Sequence, residues 1–180
     1  MTTASLYARF LMTAAPLMVA LGCARQEPIP RASGLDGWLK GTTDEKFDVV
    51  ANHLRGFDMA MVETGYRYTA LFFAGEDRNW EFANYQATKL KLAIENGLQR
   101  RPARAASAQG FLNATLPAVL DAIKGKDAAG FRRTFAAMTA TCNSCHAAEK
   151  VGFMNVVTPT ARHTPIGRAL APPPAGGLVP

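Results

Sequence analysis

Cysteine is scarce in this chain of 180 residues: Cys23, Cys142 and Cys145 are all it has. Histidine is equally scarce, at His53, His146 and His163. A structural zinc site needs four ligands, and beyond Cys142, Cys145 and His146 only distant histidines remain to complete one. Charged residues make up only 19% and hydrophobic ones 48%, which excludes a wholly disordered polar chain and leaves enough for a core. No segment alternates apolar and polar residues as a strand would, and no internal repeat recurs. The apolar run at residues 10–21 is too short for an ordinary membrane span. Positive charge is in excess, at +6, but it is scattered apart from Arg100, Arg101 and Arg104. That cluster reads as a solvated helix end, so no nucleic-acid partner is expected. The excess suits an acidic protein partner or an anionic membrane surface.

What is present begins with an export signal. Arg9 gives a positive start, residues 10–21 an apolar stretch, and "ALGC" ends it. This ending resembles the lipobox of bacterial lipoproteins. The resemblance implies that residues 1–22 are a signal peptide cut before Cys23. Cys23 then carries lipid and tethers a periplasm-facing protein to a bacterial membrane. The alternative is an ordinary cleaved signal with an incidental cysteine; either way the mature chain works outside the cytoplasm. Residues 23–42 are expected to form the anchor and a flexible tether, because residues 24–37 carry two prolines, two glycines and no helical period. Residues 151–180, with Pro159, Pro165 and "APPPAGGLVP", are expected to be an extended, non-helical tail.

Between these ends, residues 43–150 follow a helical period. Phe47, Val50, Leu54, Met61, Tyr68 and Phe72 recur at spacings of three, four or their sums, which predicts one long helix capped by Thr43 or Asp44. Gly56 and Gly65 interrupt it, by a kink or by a close helix contact. A turn is expected at residues 74–77. A second helix carries Trp80, Ala83, Ala87, Leu90 and Ile94 on one face and ends before Pro102. A third spans about residues 103–124 and should kink at Pro117. A fourth starts near Asp127, with Phe131, Phe135, Met138 and Cys142 on one stripe. Four apolar stripes and short turns predict an all-α fold, an antiparallel four-helix bundle. The aromatics Tyr66, Tyr68, Phe72, Phe73, Trp80, Phe82 and Tyr85 are expected to pack the first two helices together.

Near the end of the fourth helix stands "CNSCH", residues 142–146. On a helix Cys142, Cys145 and His146 project from one side. Cys-x-x-Cys-His is the attachment signature of a c-type haem: each thiol adds to one vinyl group, and the imidazole meets the iron from the same face. A thioredoxin-like pair normally accompanies a βαβ pattern, which is absent. A disulfide closing so short a loop is strained and stabilises little. One covalently bound haem c is therefore expected, held by Cys142 and Cys145, with His146 as the proximal iron ligand.

With this motif at the end of a fourth helix, the chain resembles the class II c-type cytochromes, four-helix bundles that include cytochrome c′. The resemblance covers about residues 43–150 and departs from the family in the added tail and in the aromatic-rich first hairpin, "GYRYTALFFAGEDRNWEFANY". It implies a distal residue drawn from the first helix. Met61 extends the stripe of Val50 and Leu54 and is the expected sixth ligand; Met59 and His53 are the alternatives, with core packing as the bland role of Met61. The implied function is a mono-haem, one-electron carrier with no enzymatic activity, serving redox protein partners, with room for a homodimer. The rivals are a gas-binding or gas-sensing protein with an open distal site, and an electron-entry subunit of a larger redox enzyme.

Overall fold

The computed structural model describes residues 31–163, 165 and 166. Cys23, the expected signal peptide and the last part of the tail lie outside the described residues. The described residues are all-α, with the isolated Ser33–Leu39 bridge as their only strand-like pairing. No described helix is long and apolar enough to cross a membrane. The chain divides into two compact units, Met1–Lys46 and Phe47–Pro180. In the first, Ser33 and Leu39 exchange backbone hydrogen bonds of 2.8 and 2.9 Å around a 3-10 turn at Leu35–Gly37.

The helices are α1 (Thr43–Leu54), α2 (Phe57–Glu76), α3 (Trp80–Arg100), α4 (Ala105–Gly110), α5 (Leu116–Lys124) and α6 (Ala128–Ala148). The cap of α1 is Thr42, not Thr43 or Asp44. Its N–H donates to Glu45 Oε2 at 2.7 Å, and Glu45 N–H donates back to Thr42 Oγ1 at 3.3 Å, a reciprocal capping box. The single long first helix of the sequence reading is two helices. Arg55 takes a positive φ of 60° and Gly56 follows at ψ −146°, so the helical ladder stops there. Phe47 and Leu54 are 68% and 57% exposed, so the stripe that joined them to Met61 is not one buried face. Gly65 makes no close contact: a Cβ there would meet nothing within 4 Å.

The turns after α2, α5 and α6 share one device. In each, a cationic residue takes the left-handed conformation usually given to glycine: Arg78 (φ 56°), Lys126 (φ 52°) and Lys150 (φ 61°). Around them Asn79 N–H donates to Ala74 O, Asp127 N–H to Ala122 O and Val151 N–H to His146 O, at 2.8–3.0 Å. A positive side chain beside exposed carbonyls complements the helix dipole. The region from Pro102 to Lys124 is less regular than one kinked helix. A 3-10 turn at Pro102–Arg104 leads into α4, and a π-helical turn at Phe111–Thr115 precedes α5, which takes Pro117 within its first turn. Pro117 has no N–H to lose there, and the wider turn absorbs its ring.

The core holds Leu71, Leu90, Leu116, Val119, Phe131, Phe135 and Met138, each at most 2% exposed. Burying a side chain of this size stabilises by about 1.5–3 kcal/mol each. α2 and α6 run in opposite directions in a tight register. Gly75 lies against the Phe131 ring, Arg132 pairs with Glu76 at 2.8 Å, the Phe72 and Phe135 rings are 5.1 Å apart, and Tyr68 OH meets Thr139 Oγ1 at 2.7 Å. The aromatics therefore do not chiefly join the first two helices. Tyr68 and Phe72 pack on α6, Trp80 meets Phe131 edge-on at 6.1 Å, and Tyr66 and Tyr85 are exposed. α3 comes close to α2 at Gly97, where a Cβ would stand 2.6 Å from Ala60 Cβ. The two helices are also tied by Arg67, which donates to Glu63 Oε1 at 3.1 Å and to the buried Gln86 Oε1 at 3.2 Å.

Gly75→Ala drives a methyl group into the buried Phe131 ring and should destabilise by about 1–3 kcal/mol. Gly65→Ala adds one in open space on a helix and should stabilise by about 0.5–1 kcal/mol. Urea midpoints of the two variants should therefore move in opposite directions. Glu76 supplies a pH test. Its bond from Arg132 holds its carboxyl below the ordinary range, so its contribution is present above the unfolded carboxyl pKa and is lost as pH falls through the folded value. Glu76→Gln should lower stability at pH 7 and make no difference once both carboxyl forms are protonated, near pH 2.

Candidate functional site

The last two turns of α6 carry the cysteine pair. Asp127 caps the helix by accepting from Gly130 N–H at 2.9 Å, and Phe131, Phe135 and Met138 anchor its apolar stripe. Cys142 continues this stripe and packs against the core; Cys145 and His146 are half-buried. Both thiols are free. Burial, then the neighbouring Cys145, pushes the Cys142 thiol up to about 11. Burial, then Glu149, also raises Cys145, with Arg104 opposing. Such thiols stay protonated at neutral pH, unlike the low-pKa thiolates of exchange catalysts. Among the described residues, no group of three or more His, Cys, Asp or Glu side chains converges to hold a metal ion.

His146 is oriented by the segment that follows it. Its Nδ1 lies 2.6 Å from Met154 O. A carbonyl oxygen only accepts, so Nδ1 carries the proton and donates, which leaves the Nε2 lone pair free for a metal. Asn143, between the two cysteines, holds the same segment in both directions: its Nδ2 donates to Val156 O at 2.8 Å, and Val156 N–H donates to its Oδ1 at 2.7 Å. Tyr68 OH donates to Val157 O at 3.2 Å, and Arg162 reaches Asp77 at 2.7 Å while lying over the Phe73 ring. Residues 151–162 thus contain no helix, and they are tied along α6 and α2 rather than loose. Nothing in the Pro-rich composition signals those ties; the one available cue is the amide of Asn143 within the motif.

Position 61 sits on the α2 face that meets α6. At about 100° per residue, Phe57, Met61, Thr64, Tyr68, Phe72 and Gly75 share one side. Continuing the Tyr68–Thr139 register seven residues back along α2 and seven forward along α6 brings Met61 level with His146. Met61 is half-buried and packed against the core. Thr64 Oγ1 on this face is buried without a hydrogen-bond partner. Met59 is 39% exposed and lines a separate cleft with Val62, Tyr66, Asn96 and Arg100. His53 is exposed on α1, ahead of the break at Gly56, and His163 is exposed beyond the tied segment. The structure thus keeps Cys142, Cys145 and His146 on one helix end, and the α2–α6 register places Met61, rather than Met59, His53 or His163, at their level.

No family model matches the chain, and no curated protein or solved structure matches it.

Of the basic cluster, Arg104 alone reaches this region, while Arg101 is exposed at the end of α3. Arg104 pairs with Glu149 at 2.6 Å and lies over the Phe57 ring at 5.7 Å, and Ser107 Oγ also donates to Glu149. A carboxylate at a helix C-terminus is opposed by the helix dipole, and Arg104 offsets that opposition. The donor set fits a covalently attached haem: two protonated free thiols one turn apart, an imidazole with Nε2 free, a thioether sulfur at the same level, and a buried hydroxyl lacking a partner.

Proposed function

We propose that this chain is a mono-haem c-type cytochrome that carries one electron at a time, built as an antiparallel four-helix bundle. The observation that supports it best is the set of free thiols of Cys142 and Cys145 on one helix, beside an imidazole whose Nδ1 already donates to a carbonyl. In attachment, each S–H adds across one vinyl C=C. Sulfur bonds to one carbon and hydrogen to the other, and no electron is lost. Haem, when bound, supplies the reversible one-electron couple of its iron. His146 Nε2 would hold the iron, and the Met61 sulfur is the second donor that the α2 register supports. The rings of Tyr68, Phe72 and Phe135 keep the inner side of α6 apolar. The excess of positive charge favours an acidic redox partner. Lipid at Cys23 would hold the carrier at a membrane, facing the periplasm.

A second reading is favoured by Thr64. A buried hydroxyl without a partner, on the face level with the motif, suits hydrogen bonding to a small gas bound at an open distal position.

Intact mass of the mature, denatured chain is the first test. It should equal the chain from Cys23 plus lipid and one haem; haem that leaves on acid–acetone extraction would refute attachment. Met61→Ala should then open the sixth position, admit carbon monoxide and lower the reduction potential, because the thioether favours the reduced iron. Met59→Ala should leave the spectrum unchanged. Rapid carbon monoxide binding by the wild type with a high-spin spectrum would favour the gas-binding reading.

A further inference from the structure

The segment after α6 is held in place by the helices beside it. It returns along the helix that bears the cysteines and makes ordered polar contacts at 154, 156, 157 and 162. We propose that residues 151–162 are a strap that sets the tautomer and ring orientation of His146, with Asn143 as its positioning residue. The redox consequence of this rests on the haem reading above; the effect on the imidazole itself does not.

An imidazole on the last turns of a helix rotates about two side-chain bonds and exchanges its proton between two nitrogens. Met154 O removes both freedoms, because it accepts only and stands 2.6 Å from Nδ1. That carbonyl is useful only if it stays in place. Asn143 holds it by clamping Val156, two residues on, through a donated and an accepted hydrogen bond. Tyr68, whose ring packs on Phe135 at 4.7 Å, holds Val157 from the neighbouring helix. At the near end, Val151 N–H bonds His146 O at 2.8 Å and starts the reversal beside the imidazole. The Arg162 pair with Asp77 fixes the far end. Asn143 touches neither iron nor substrate in this scheme. It acts through Met154 O on His146. A proximal imidazole that donates from Nδ1 to a carbonyl is a stronger electron donor at Nε2, which favours oxidised iron.

The test uses the full chain as purified, reduced if it carries haem, with nitrogen-15 in its histidines. In the wild type, His146 should show a protonated Nδ1 whose proton exchanges slowly with solvent. Asn143→Ala should speed that exchange about tenfold or more, since both hydrogen bonds to Val156 are lost. It should also speed protease cleavage between residues 151 and 160 by a similar factor, on the order of tenfold. In the haem-loaded chain the reduction potential should rise. Asn143→Asp, which still accepts from Val156 N–H but cannot donate to its carbonyl, should fall between. A wild-type His146 resting with its proton on Nε2, or with a fast-exchanging Nδ1 proton, overturns the proposal even if every variant misfolds. So does an Asn143→Ala chain whose segment is cleaved faster while the ring proton and the potential stay unchanged. A chain without covalent haem refutes the cytochrome reading alone, because the ring-proton measurement is still made on it.

Discussion

The approach of Gly75 to the Phe131 ring governs how α2 and α6 meet. The ring is fully buried and has no room to yield, so only a residue without a side chain fits opposite it. Around that contact the Arg132–Glu76 pair, the Phe72–Phe135 rings and the Tyr68–Thr139 bond all fall into one register. Sliding one helix past the other by a turn would break all of them together. The geometry of the candidate site follows at a distance of several turns, since the same register brings Met61 level with His146.

Around this helix pair the remaining contacts supply what the motif cannot supply for itself. A helix end exposes carbonyls and attracts positive charge. Here Glu149 sits at that end, and Arg104 and Ser107 satisfy it. Lys150 makes the reversal, and the returning backbone accepts a hydrogen bond from the imidazole through Met154 O. The thiols are left half-buried, protonated and unpaired beside these satisfied groups.

Much of this was legible in the sequence because helical period and a spaced motif are local signals. The faces of α3 and α6 were readable from Trp80, Ala83, Ala87, Leu90 and Ile94, and from Phe131, Phe135, Met138 and Cys142. The break at Arg55–Gly56 was not, since the apolar spacing runs through it from Leu54 to Met61 and only backbone conformation separates the two sides. The turn after α2 falls beyond Glu76 rather than at residues 74–77, because Arg78, not a glycine, takes the left-handed position. The partner of Tyr68 and Phe72 was not legible either, since they meet Phe135 across more than 60 residues of chain, a pairing that no window of sequence displays. The ties of residues 151–162 were hidden in the same way. An extended backbone bonded by single side chains has no period, and its composition resembles that of a loose tail.

The clamp at Asn143 also fixes a length. Asn143 grips Val156 thirteen residues on, and His146 meets Met154 eight residues on. Both spans close around the same reversal at Lys150, so neither can change alone. An inserted or deleted residue between 147 and 153 would move the carbonyl off the imidazole and the amide pair off Val156 in a single step. In terms of sequence divergence, the two positions between the cysteines are not equivalent. Ser144 is exposed and turns its hydroxyl back to Ala140 O, so many residues fit there. Position 143 is bound to the spacing of a loop outside the motif, and the two can change only together.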